Sequence, residues 1–143
     1  MTMIDISHLL SAASQTGRAP AVIAIVEDQA AIAELLRDVL EDEGFRPIII
    51  GSPETAVTEI QACGADIVLL DIMMPGRNGW EVLDDLRHDV ATRDLPVILT
   101  SAVYDRIGRR PLPIGGPIRF AAKPFEIGEL IATIDGLGER ATA

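Results

Sequence analysis

The chain has 143 residues, with 12 basic against 22 acidic side chains, a formal net charge of −10, 48% hydrophobic residues and a single cysteine. That length is one domain's worth and buries a core without disulfides. The acidity disfavours direct nucleic-acid binding. Cys63 alone forms no internal disulfide and fits a reducing cytoplasm, and no apolar run approaches the roughly 20 residues that would cross a membrane.

Residues 1–20 are set apart by composition. Met1 to Leu10 has neither a basic start nor a long apolar stretch, so it is no signal peptide, and Ser11 to Pro20 is small and polar. A loosely ordered leader is expected there, with a domain over 21–138 and a short tail over 139–143. An alternating rhythm then begins. Val22 to Val26 reads as a buried strand, and Ile32, Leu35, Leu36, Val39 and Leu40 recur at helical spacing within Gln29 to Glu43. Phe45 to Ile50 is a second strand. Ser52, Pro53 and Glu54 read as an N-cap, a first helical position and an early acid, opening a helix that carries Ala56, Val57, Ile60 and Gln61 to Gly64. Cys63 belongs to this helix face rather than to a reactive site.

Ile67 to Leu70 is a third strand, and Trp80, Val82, Leu83, Leu86 and Val90 mark a third helix. Pro96 to Thr100 and Ile118 to Ala121 are the fourth and fifth strands, and Ile127, Leu130, Ile131, Ile134 and Leu137 line a last helix. Strands alternating with helices predict an α/β fold. It is a flavodoxin-like, doubly wound, five-stranded parallel sheet of order 2-1-3-4-5. One segment breaks the rhythm. The fourth helix of such a fold falls in Ala102 to Pro117, which holds Pro111, Pro113, Pro117, Gly108, Gly115 and Gly116. Each interior Pro costs about 3 kcal/mol and each Gly about 1, so this helix is expected to be degenerate or missing.

The chemistry collects where strands end. Glu27 and Asp28 follow the first strand, Asp71 ends the third, Thr100 the fourth, and Lys123, the only lysine, follows the fifth. In open α/β sheets ligands bind at this edge. Three carboxylates in one crevice repel one another unless a cation joins them. Mg2+ suits an all-oxygen site and phosphoryl chemistry, with Mn2+ as an alternative. An Asp can accept a phosphoryl group as an aspartyl phosphate. A compact ammonium and a hydroxyl can contact that group. Each residue also has a plainer reading: Asp28 as a helix cap, Lys123 as a loop charge, Thr100 as an ordinary strand residue.

Val26-Glu27-Asp28, Leu70-Asp71-Ile72-Met73-Met74-Pro75-Gly76, Thr100-Ser101-Ala102 and Lys123-Pro124-Phe125 together resemble the receiver domains of two-component response regulators, over about residues 21–138. The resemblance implies that Asp71 accepts a phosphoryl group from a histidine kinase or phosphotransfer protein. It implies that Glu27, Asp28, Asp71 and the main-chain carbonyl of Met73 hold Mg2+, and that Thr100 and Lys123 contact the phosphoryl group. Phe120 falls at the family's aromatic switch position and acts with Thr100. The atypical 102–117 segment puts the family's usual output face in doubt. Its Arg106, Arg109 and Arg110 form a candidate patch for an acidic partner.

The expected function is a phosphoacceptor that signals to a downstream protein by changed partner binding, cytoplasmic, with no reaction beyond its own phosphorylation and dephosphorylation. The chain shows no output domain after its last helix, so a stand-alone mode of action is expected. One alternative is a phosphorylation-independent binding module on the same fold. A phosphatase of the haloacid-dehalogenase type would carry a second Asp two positions after the nucleophile, where this chain has Met73.

Overall fold

Branched aliphatic runs extend and pair, and the residues between them wind into helices that cover both faces of the resulting sheet. The computed structural model describes residues 21–74, 78–101, 112–122 and 127–142. In chain order these form β1 (Val22–Val26), α1 (Ala30–Asp42), β2 (Arg46–Ile50), α2 (Ala56–Cys63), β3 (Ile67–Asp71), α3 (Gly79–His88), β4 (Val97–Ser101), β5 (Ile118–Ala122) and α4 (Ile127–Thr142). The sheet has five strands in the order β2-β1-β3-β4-β5, and every pairing is parallel. The expected topology is therefore present.

Period-two alternation divides the core. Ala24, Val26, Val68, Leu70, Val97 and Leu99 face α2 and α3, where they meet Ile60, Val82, Leu83 and Leu86. Ile23, Ile25, Ile67, Leu69 and Ile98 face the other way, onto Leu36 and Leu40 of α1 and Leu130, Ile131 and Ile134 of α4. The central strands are buried on both sides, which is why they read as unbroken apolar runs.

Several local expectations shift. Ser52 does not cap α2: its hydroxyl donates to Glu54 Oε2 at 2.7 Å, and the helix opens one turn later, after Thr55. Asp28 does not cap α1, whose N-cap is Gln29. Leu35 is exposed rather than part of the buried stripe. The third helix stops at His88, so Val90, expected on its apolar face, is 78% exposed. Asp89 turns the chain there, its Oδ1 accepting the Ala91 N–H at 2.9 Å, and an Asx turn of this kind competes with the helix. At the other end of the chain α4 runs on to Thr142, through residues expected as a tail; Glu139, Arg140 and Ala141 are good helix formers and no proline stops them.

Residues 112–117, the part of the β4–β5 connection that the structure describes, contain no helix. The remainder of that segment, with Arg106, Arg109 and Arg110, lies outside the described residues, as do the 1–20 leader and Lys123. Among the described residues no helix is long and apolar enough to cross a membrane.

Candidate functional site

The sheet order delivers three acids to one place. In the parallel register of β1 on β3, Val26 lies opposite Leu70, so Glu27 and Asp71 emerge side by side. Glu27 is 4% exposed and Asp71 is 3% exposed, whereas Asp28 is open to solvent. Carboxylate oxygens from Glu27, Asp28 and Asp71 all lie within 4.8 Å of one another. At an effective dielectric near 20, two full negative charges at that distance repel by roughly 3 kcal/mol. A cation among them adds an attraction to each carboxylate that outweighs this repulsion.

Backbone geometry fixes Asp71. Asp71 Oδ1 accepts the Met73 N–H at 3.2 Å, which ties the carboxylate to the turn after β3. That turn also carries the Met73 carbonyl, on a residue that is 63% exposed. Gly79, the first residue of α3, donates its N–H to the Ile72 carbonyl at 2.8 Å. A Cβ at Gly79 would lie 2.3 Å from the Asp71 carbonyl oxygen, so only glycine lets α3 start this close to the end of β3. Asn78 caps the helix, its Oδ1 accepting the Glu81 N–H at 3.1 Å.

On the other flank Thr100 pairs with Asp71 across β3 and β4. Its carbonyl accepts the Ile72 N–H at 3.0 Å, and its side chain is buried at 4% exposure. Phe120 stands opposite Leu99 and packs, half-buried, against the core beneath α2 and α3 together with Trp80. Glu27, Asp28, Asp71 and Thr100 are therefore gathered at one sheet edge. Phe120 sits one strand further out, and Lys123 follows β5 in sequence outside the described residues.

The donor set fits a hard divalent cation: all three side chains offer oxygen, with no thiolate or imidazole among them, and two are buried where an uncompensated charge is costly. Cys63 plays no part. It lies on α2, its thiol donating to the Ile60 carbonyl at 3.4 Å, and burial pushes its pKa up, away from a reactive thiolate.

Comparison with known proteins agrees with this geometry. A model of the response regulator receiver domain matches residues 23–135. The chain belongs to the response regulator receiver family. The receiver is 35% identical over 119 residues to the phosphate regulon transcriptional regulatory protein PhoB of Escherichia coli (strain K12), covering 82% of this chain and 52% of that protein. It is 38% identical over 112 residues to the sensory transduction protein RegX3 of Mycolicibacterium smegmatis, covering 78% and 48%. The chain thus spans about half the length of these curated relatives. Among solved structures it resembles the Francisella response regulator 1452 receiver domain (TM-score 0.72, 26% identity, 85% of this chain and 98% of that one). It also resembles the receiver domain of the sensor histidine kinase PA1611 of Pseudomonas aeruginosa PAO1 (TM-score 0.75, 23% identity, 85% and 99%), which was solved with a magnesium ion in its active-site cleft.

Two parts of the receiver escaped the sequence reading. The close approach at Gly79 is invisible without the tertiary contact. Arg87 is 6% exposed although charged; its signal was its place on the buried face of α3, one and four residues beyond Leu86 and Leu83.

Proposed function

We propose that this receiver is the phosphoacceptor of a two-component relay, taking a phosphoryl group onto Asp71 from a histidine kinase or histidine phosphotransfer protein. The observation that carries the reading is the convergence of Glu27, Asp28 and Asp71 within 4.8 Å, with the acceptor held by the turn that follows it.

An Asp71 carboxylate oxygen attacks phosphorus in line. The new O–P bond forms as the N–P bond to the donor imidazole breaks, and the imidazole nitrogen keeps the electron pair and takes up a proton. Glu27, Asp28, Asp71 and the Met73 carbonyl would hold Mg2+, or Mn2+ in its place. Bound there, the metal would supply neutralisation of charge on the phosphoryl oxygens. Burial of Glu27 and Asp71 keeps these charges in a poorly screened environment, where such neutralisation counts most.

Thr100 and Lys123 contact the transferred group. An aspartyl phosphate adds about −1.5 to −2 charges, and the Lys123 ammonium offsets part of them. Thr100 pairs with Asp71 on one side and with Ala121 on the other, so a shift at Thr100 reaches β5, the strand that carries Phe120. The changed surface is read by a downstream protein, with Arg106, Arg109 and Arg110 as a candidate contact for acidic groups. The receiver works on no outside substrate, binds neither nucleic acid nor membrane itself, and acts in the cytoplasm.

The test is intact mass of the protein incubated with a small acyl phosphate, with and without Mg2+. One added phosphate is expected, suppressed by chelation and absent in Asp71→Asn. Full labelling of Asp71→Asn would overturn the proposal.

A further inference from the structure

At the N-terminal edge of the sheet, the far end from the acids, the buried face of α3 continues past Leu83 and Leu86 to Arg87. The atoms that its guanidinium bonds are all main-chain carbonyls. Nη1 donates to Leu95 O at 2.8 Å and to Thr92 O at 3.5 Å. Nη2 donates to Gly116 O at 3.1 Å and to Pro117 O at 3.3 Å. Leu95 lies just before β4, and Gly116 and Pro117 lie just before β5, so one side chain grips the entry to two strands.

The receiving backbone is shaped to this grip. Gly115 has φ +154°, and a Cβ there would lie 2.3 Å from Arg87 Cδ and 2.5 Å from the Arg93 carbonyl oxygen. A Cβ on Gly116 would lie 2.2 Å from the Asp94 carbonyl oxygen. The Gly116 N–H donates to Arg93 O at 2.8 Å, and Pro117 O accepts the Val97 N–H at 2.9 Å. Thr92 Oγ1 donates to Leu86 O at 2.7 Å, which locks the 89–95 turn against its own helix. Arginine stays charged when buried, and its hydrogen bonds to carbonyls are of the stronger, charge-assisted class. Burial lowers the Arg87 pKa, while Asp94 opposes that shift.

β5 needs such a clamp. It is an edge strand, paired only with β4, so its register is set from one side. A slip by one residue would turn Phe120 to the opposite face of the sheet. In a regular crossover a packed helix leads into the strand; here residues 112–117 approach it without one.

We propose that Arg87 is a positioning residue of the phosphotransfer site: by clamping residues 115–117 to the 92–95 turn it sets the register of β5, and with it the placement of Phe120 and the point from which the sequence goes on to Lys123. The proposal rests on the receiver reading above. It separates two halves of the site. Glu27 and Asp28 follow β1 and Asp71 ends β3, at the far end of the sheet from the clamp, whereas the clamp holds the entry to β5, the strand of Phe120.

The experiment compares the parent chain with Arg87→Met, Arg87→Lys and Gly115→Ala, the last perturbing the same clamp from the other side should Arg87→Met fail to fold. Three readouts are taken well below the unfolding transition: Mg2+ affinity, the rate of phosphorylation by a small acyl phosphate, and hydrogen exchange of β5 amides without phosphodonor. Mg2+ affinity is expected to stay at the parental value while phosphorylation slows by about tenfold to a hundredfold, the scale of a misplacement near 1 Å. Arg87→Lys should recover part of the rate, and β5 should exchange faster in Arg87→Met. Parental rate and parental β5 exchange in Arg87→Met would overturn the proposal, as would a rate that falls only in step with lost Mg2+ affinity. If the parent is not labelled at all, the receiver reading fails instead, and β5 exchange still decides the clamp.

Discussion

Gly79→Ala is the sharpest perturbation of Asp71 that leaves every polar group in place. The added Cβ would lie 2.3 Å from the Asp71 carbonyl oxygen, 2.7 Å from Ile72 Cα and 3.0 Å from Asp71 C, where ordinary contact begins at 3.4 Å. All three obstacles are backbone, so no side chain can swing aside. Relief requires the start of α3 and the end of β3 to part by about 1 Å, and overpacking of this kind costs about 1–3 kcal/mol. Part of that is returned, because alanine is a better helix former than glycine by about 1 kcal/mol. A shift near 1 Å at the acceptor slows transfer by on the order of a hundredfold. Gly136→Ala is the matched control: it lies within α4, nothing stands within 4 Å of its added Cβ, and it should raise stability by up to about 1 kcal/mol. The assay pairs urea unfolding with the rate of labelling by an acyl phosphate. Gly79→Ala with parental stability and parental rate would show that the tight junction between β3 and α3 does not govern the acceptor.

Other perturbations separate the remaining roles. Lys123→Ala is expected to keep Mg2+ binding but lose most of the conformational response to phosphorylation, read by hydrogen exchange, and Lys123→Arg should be impaired too, since a planar fork does not replace a point charge. Asn78→Ala removes the cap of α3 and should cost about 1 kcal/mol in urea unfolding. Mg2+ at a hundredfold excess over its dissociation constant should stabilise the parent by about 2.7 kcal/mol, and Asp71→Asn should lose most of that gain. The Cys63 thiol, its pKa raised by burial, should react more slowly with a thiol reagent near pH 8 in the native protein than in urea, because less of it is thiolate; equal rates would contradict its placement.

The sheet was legible because its central strands are apolar on both faces and its acids stop where the apolar runs stop. Period and punctuation marked the elements and the site edge, and the strand order followed from the doubly wound fold that their alternation implies. Local detail was less legible where side chains chose partners that compete with helix geometry: Ser52 bonds Glu54 instead of an amide, and Asp89 turns the chain before Val90 can join α3. Arg87 was hidden for a different reason. A charge on a helix reads as solvated, and only the folded backbone shows that Leu95, Gly116 and Pro117 bring carbonyls to it.

The most direct measurement is to locate the phosphoryl group at residue level. The labelled chain is reduced with borohydride, which converts an aspartyl phosphate to homoserine, then digested and sequenced by mass spectrometry. Homoserine at position 71, formed only when Mg2+ was present during labelling, is the expected result. Homoserine at position 28, or label retained elsewhere in Asp71→Asn, would contradict the assignment of Asp71 as the acceptor.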